Sequence, residues 1–462
     1  MKIKTLSFLA YLILLVKINS LSFQDNIFQK LIENKKGENI MISTLSLYQA
    51  LSLLANGASG ETQKEILKVL YPEQNIDNNI LNLLNSNIEQ IFSIIESENS
   101  EKNNEMMYLE GGEDSKIKFN NVNGIFSKKG VELTNQFTQI CENYNTSFFE
   151  LISAEQVNNF CSENTNGKIN HIINEINEDL VLMLINVIYF KGTWLEKFKQ
   201  QDTKNRAFLN YDNSIVKVNT MYQKYYSNLY YEDEKVQIIS LPYISNKLGF
   251  KMIIILPNIK KYSSPLDYLK KEKINFSDIY SKLESRNNIH LYLPKFNYKY
   301  EENLKDILED LGMKLAFDEN SSNFENLCQN IETYVNSIFH STYIDVNENG
   351  TEAAAVTAQI MYPTAAHKDE YYMYVNHSFI YMIQSEIKDA NNNYLMPFIG
   401  IVNKLEEMEN DNKGDKNNDN EHKEDTSKDT DEEPSKISPI NNGNISKISL
   451  TIFISLILFI FC

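Results

Sequence analysis

The spacing of apolar residues lays out the elements. Residues 21–32 and 79–96 repeat at helical period, the second through Ile80, Leu83, Leu84, Ile88, Ile91, Ile94 and Ile95. Residues 61–70, 134–143 and 304–311 read as further helices, the last stopped by Gly312. A short apolar strand, Ile40-Met41-Ile42, runs into Ser43 and Thr44, both N-cap types, and then into a helix ending near Gly57. Residues 180–190 are continuously apolar, as in a strand covered on both faces. Residues 236–241 and 250–256 alternate like a hairpin closed by Pro257. Strands are also expected at 122–126, 208–222, 289–293, 335–340, 374–383 and 396–402, with a polar loop at 97–117.

One stretch departs from these patterns. Tyr343, Ile344 and Val346 are strand formers, and Glu348, Asn349 and Gly350 then read as a turn. Beyond it Thr351, Ala353, Ala355 and Thr357 recur at period two, all small, with Glu352, Ala354, Val356 and Ala358 on the opposite face. As a strand, such a face could enter between neighbours without overpacking them. The same alanines could equally start a helix. An exposed run follows over 359–370.

Composition adds compartment and excludes chemistry. The chain has 462 residues and a formal charge of −18, of which residues 406–436, with thirteen Asp/Glu and five Lys, carry −8. That segment reads as a low-complexity stalk, 406–440. Residues 1–22 have the form of a signal peptide, with Lys2 and Lys4 before an apolar run and small residues near Ser20. Residues 441–462 end in fifteen mostly apolar residues, too few for a comfortable span. With the small group around Asn442 they resemble a lipid-anchor signal, a short transmembrane tail being the alternative. Cys141, Cys161, Cys328 and Cys462 match no metal site or disulfide framework, and the six histidines are scattered. Gly57-Ala58-Ser59-Gly60 falls short of a nucleophile elbow. No enzyme, cofactor, metal or nucleic-acid site is expected. Sequons stand at Asn145, Asn275, Asn320, Asn349, Asn376 and Asn444. The first three are expected to be glycosylated, whereas Asn376 falls in an expected buried strand.

Several motifs together resemble the serpin family, serine protease inhibitors that act as suicide substrates. Residues 347–358 resemble its hinge, and Val375-Asn376-His377-Ser378-Phe379 its C-terminal signature. Asn186-Val187-Ile188-Tyr189-Phe190-Lys191-Gly192-Thr193-Trp194, which holds the only tryptophan, is similar to another family motif, as is Thr165-Asn166-Gly167-Lys168-Ile169. The chain departs from the family at Thr44, usually Pro, and at Phe160, usually Trp. The resemblance covers residues 23–405. It implies an α+β fold of three β-sheets and about eight to nine helices, with an exposed reactive-centre loop. It also implies a non-enzyme that inhibits a serine endopeptidase and is a monomer.

The resemblance assigns roles by position. Glu348, Gly350, Thr351, Glu352, Ala353, Ala354, Ala355, Val356, Thr357 and Ala358 form the hinge. Trp194 lies where the loop enters the main sheet, and Ser43, Ser46, Asn186 and His340 form the polar cluster that governs its opening. Counting from Gly350 puts the reactive bond at Thr364–Ala365, which suits an elastase-like protease. A cut after Tyr362 would suit a chymotrypsin-like enzyme, and one after Lys368 a trypsin-like one. The helix over 79–96 lacks the Lys/Arg stripe with which some members bind heparin, so no heparin site is expected. The alternative within the family is a non-inhibitory surface binding or carrier protein. In either case the expected location is extracellular, secreted or at the cell surface through the C-terminal tail.

Overall fold

The computed structural model describes residues 23–407, apart from residues 73, 78, 100–116, 178, 246–247, 352–368 and 388–394. The strands are β1 (Ile40–Ile42), β2 (Lys118–Ser127), β3 (Thr146–Glu150), β4 (Leu182–Thr193), β5 (Lys204–Leu209), β6 (Ile215–Glu232), β7 (Val236–Pro242) and β8 (Lys251–Pro257). They continue as β9 (Glu284–Pro294), β10 (Phe296–Asn303), β11 (Ser337–Asn347), β12 (Gly350–Thr351), β13 (Tyr371–Tyr374), β14 (Phe379–Gln384) and β15 (Phe398–Val402). The described helices are α1 (Phe23–Asn34), α2 (Thr44–Gly57), α3 (Gly60–Leu70), α4 (Ile80–Asn99), α5 (Asn135–Asn143), α6 (Ala154–Asn164), α7 (Pro265–Glu272), α8 (Phe276–Ile279) and α9 (Lys305–Asp310).

The main sheet has the order β10-β11-β12-β4-β2-β3. A second ladder runs β1-β15-β14-β8-β7-β6-β9-β13, with β5 beside β6. The 18-residue β6 pairs with three strands along its length: Ile215–Thr220 with β5, Thr220–Tyr230 with β9, and Tyr230–Glu232 with β7. This ladder is therefore two sheets that share a strand, and the fold has three β-sheets. β12 is a two-residue wedge. Lower down, β11 and β4 pair directly and in parallel, Ser337–Thr342 against Met183–Ile188. Above this, Gly350 and Thr351 stand between them, bonded to Asn347 and Val346 on one side and Thr193 and Gly192 on the other.

Strand alternation explains why β4 is apolar throughout. Met183, Ile185 and Val187 face α6, in a core with Val157, Phe160 and Cys161. Leu182, Leu184, Ile188 and Phe190 face the larger core, which includes α2. Asn186 shares that second face, so a lone polar side chain points at the buried start of α2. All but Tyr48 of the fourteen α2 residues are buried, so its polar Thr44, Ser46, Gln49, Ser52 and Asn56 must find hydrogen-bond partners inside the protein.

The expected buried strand over 374–383 is corrected. β13 ends at Tyr374 and β14 begins at Phe379, and Asn376 between them is exposed. Its carbonyl accepts from the amide of Leu209, the last residue of β5, so the connection bridges to that strand between β13 and β14.

Candidate functional site

Local sequence positions the first part of the site. Ser43 caps α2, its hydroxyl accepting from the Ser46 amide at 3.2 Å, which leaves its own backbone N–H to be satisfied elsewhere. His340 of β11 does this: its Nε2 accepts from Ser43 N at 2.9 Å. Nδ1 must then carry the ring proton, which it donates to Asn186 Oδ1 at 2.7 Å. Asn186 Nδ2 donates to Asn123 Oδ1 of β2 at 2.7 Å and, more weakly, to the Ser46 carbonyl at 3.3 Å. The registers His340↔Asn186 and Asn123↔Asn186 align the three side chains across three strands. Ser46 Oγ donates to Asn121 Oδ1 at 2.5 Å, Asn121 donates on to Gln49 Oε1, and Gln49 Nε2 donates to the Tyr144 carbonyl at 2.6 Å. The chain of bonds crosses the one place where β11 and β4 pair directly. Burial pushes the His340 imidazole down to about 3, so it is neutral at physiological pH.

The second part lies at the top of the same seam. Trp194 N and Nε1 donate to the carbonyls of Asn349 and Asn347, each at 3.0 Å, so the indole clamps the turn before β12. Tyr243 stacks on Trp194, with ring centroids 4.5 Å apart and planes 13° from parallel. Its hydroxyl is 2.8 Å from Thr351 Oγ1, and Thr351 is 1% exposed. Gly350 has φ +151°, and a Cβ there would lie 2.0 Å from the Gly192 carbonyl oxygen, so only glycine fits. Glu348 anchors the turn through Lys295 Nζ at 3.0 Å and Thr203 Oγ1 at 2.8 Å. Burial pushes its carboxyl upward, but bonds from its own backbone, Lys295 and Thr203 outweigh this and hold it below the usual glutamate range.

Ser43, Ser46, Asn186 and His340 thus meet in one cluster, and Trp194, Glu348, Gly350 and Thr351 in another. Glu352 through Ala358, Tyr362, Thr364, Ala365 and Lys368 lie outside the described residues, as does Asn442. Asn145 and Asn320 are exposed, while Asn275 and Asn349 are half-buried. Sequence reasoning missed Gln49, Asn121, Asn123, Thr203, Tyr243 and Lys295. Asn121 and Asn123, two apart on one face of an expected central strand, were a readable signal; the others join only through tertiary contact. Cys141, Cys161 and Cys328 are buried free thiols, and burial pushes the first two up to about 12.

Comparison with known proteins gives consistent matches. The sequence model of the family described as "Serpin (serine protease inhibitor)" matches residues 18–403. The leukocyte elastase inhibitor of Xenopus tropicalis is 29% identical over 376 residues, covering 78% of this chain and 93% of that protein. Serpin B11 of Homo sapiens is 28% identical, covering 72% and 86%. Among solved structures, the thermophilic serpin tengpin in its native state superposes with a TM-score of 0.68 at 27% identity, covering 83% of this chain and 92% of that one.

Proposed function

The chain belongs to the serpin family, and on that premise we propose that it is an inhibitory member, a suicide substrate for a serine endopeptidase with a small or aromatic primary specificity. A protease serine hydroxyl attacks the carbonyl of Thr364, forms an ester with it and releases the amine of Ala365. Residues from Thr351 to the ester then extend β12 down the seam between β11 and β4. Fourteen residues at about 3.3 Å each carry the ester about 45 Å. Displacing catalytic groups by ~1 Å can already cost 10²-fold in rate, so an enzyme dragged over that distance fails to hydrolyse the ester.

The observation that carries this reading is the wedge at Gly350–Thr351. Gly350 and the first residue of the small-residue segment, Thr351, already sit between β11 and β4, in the register a longer strand would continue. Insertion extends an existing ladder and needs no new nucleus. The polar chain from His340 to Asn123 lies directly in its path and would set how readily the seam parts. A charge or a bulky group at 351 would obstruct the same step; Thr351 is small and its hydroxyl is paired.

The reading extends to the ends of the chain. Residues 1–22 direct secretion, and the C-terminal tail holds the inhibitor at a cell surface. Incubating the protein with pancreatic elastase and with chymotrypsin tests inhibition. The expected result is an SDS-resistant covalent complex with one of them. Cleavage within residues 359–368 with no complex and no rise in thermal stability would instead identify a carrier or binding protein.

A further inference from the structure

Of the sequons along the chain, one changes standing once the fold is known. Asn376-His377-Ser378 falls where a buried strand was expected, and a buried asparagine has no room for a bulky, hydrated glycan. The structure instead places Asn376 in the connection between β13 and β14, where it is exposed. Val375 before it and Ser378 two places after it are 2% and 7% exposed. Asn376 therefore stands out from a segment that is otherwise anchored.

The anchoring leaves its side chain without a structural task. The Asn376 N–H donates to the Tyr374 carbonyl at 2.9 Å, and its own carbonyl accepts from the Leu209 amide at 2.8 Å. Val375 N–H donates to the Tyr292 carbonyl at 2.9 Å, and His377 Nε2 to the Pro257 carbonyl at 2.9 Å. The main chain and the next side chain thus hold the connection in place. Among the described residues the Asn376 side-chain amide makes one hydrogen bond, to His377 Nδ1 at 2.9 Å. An asparagine joined to a sugar keeps its carbonyl and one N–H, so this contact survives modification.

The hydroxyl of the sequon is a separate matter. Ser378 Oγ donates to the Asn403 carbonyl at 3.1 Å, beside the pairing of β14 with β15. In the finished fold that hydroxyl is out of reach of a transferase. While residues 376–378 are still extended and β15 has not docked, it is free. Its later burial therefore does not withdraw the sequon, and the exposed Asn376 lets the folded chain close with a glycan projecting outward.

We propose that Asn376 is an N-glycosylation site. Its amide nitrogen attacks the anomeric carbon of an oligosaccharide held on a polyprenyl diphosphate. The nitrogen–carbon bond forms, the carbon–oxygen bond to the diphosphate breaks, and the amide proton passes to a base on the transferase. The site rests on the reading that residues 1–22 direct secretion, and adds a modification against which the sequence pattern argued.

The test expresses the full chain in cultured insect cells. Digestion with peptide N-glycosidase F in heavy-oxygen water turns each formerly glycosylated asparagine into a labelled aspartate, which peptide mass spectrometry locates. Label at Asn376 is the expected result. On a denaturing gel, Asn376→Gln should run ahead of wild type by one glycan, whereas Ser378→Thr, which keeps the sequon, should run with wild type. Thermal unfolding checks that each variant is folded. Unlabelled Asn376 beside labelled Asn145 or Asn320 overturns the site and leaves the secretory reading standing. A chain with no labelled asparagine overturns both. Equal migration of Asn376→Gln and wild type also overturns the site.

Discussion

His340 resists protonation because both its ring nitrogens are engaged and no water reaches them. Its folded value near 3 lies below the ordinary histidine value of 6.5, so the unfolded chain binds the proton more readily. This contribution to stability is complete above about pH 6.5 and is lost as the pH falls toward 3. At about 1.4 kcal/mol per pH unit, this group alone costs roughly 2 kcal/mol between pH 6.5 and pH 5. The melting temperature should therefore drop over that interval. In His340→Ala the drop should be smaller, from a starting point about 2–4 kcal/mol less stable because Ser43 N–H and Asn186 Oδ1 lose their partner. Calorimetry at pH 7 and pH 5 checks both. Of this cluster, Ser43, Ser46, Asn186 and His340 were legible as residues, through the motifs around them. Gln49 was not, since its partners Asn121 and the Tyr144 carbonyl lie 72 and 95 residues away in sequence.

Among the elements, β12 decides the most with the least. It is two residues long, yet both its edges are bonded and Thr351 is 1% exposed. Thr351→Arg would bring a cation against Tyr243 and Trp194 with no carboxylate partner, at a cost of several kcal/mol. Insertion should slow while attack on the loop proceeds, so the variant should be consumed as a substrate. The stoichiometry of inhibition is expected to rise at least fivefold, read as the ratio of cleaved to complexed protein on a denaturing gel. An unchanged ratio would mean that the wedge does not lead into insertion. Period two in the small residues of 351–357 was visible in the sequence, but helix and strand competed there on propensity alone. The contest at Gly350 and Thr351 is decided by the edges of β4 and β11, whose open carbonyls and amides a helix could not satisfy. The break between β13 and β14 falls at Asn376-His377-Ser378, a polar interruption that the apolar residues on either side masked as one strand crossing from one sheet to another.

For the whole molecule, the matched family region, residues 18–403, precedes an acidic segment and an apolar end. No helix among the described residues is long and apolar enough to cross a membrane. On the proposed surface location, residues 441–462 would supply the attachment, as the lipid-anchor signal expected from their short apolar run. Treating intact cells that express the full chain with phosphatidylinositol-specific phospholipase C is expected to release the inhibitor into the medium. Retention after treatment, with release only by detergent, would favour the short transmembrane tail.

The sequence by itself determined the family, the order of most strands and helices, and the period-two run of small residues beyond Gly350. These are local properties: side-chain period, cap residues and contiguous motifs survive without knowledge of neighbours. Only the tertiary structure decided that His340, Asn186, Asn123 and Ser43 share one hydrogen-bond chain, that Thr351 is seated between β11 and β4, and that Tyr372 and Tyr374 stack on His290 and Tyr292. Each of these depends on strand register between segments far apart in the chain. A one-residue slip in any pairing would have turned those side chains to the opposite face.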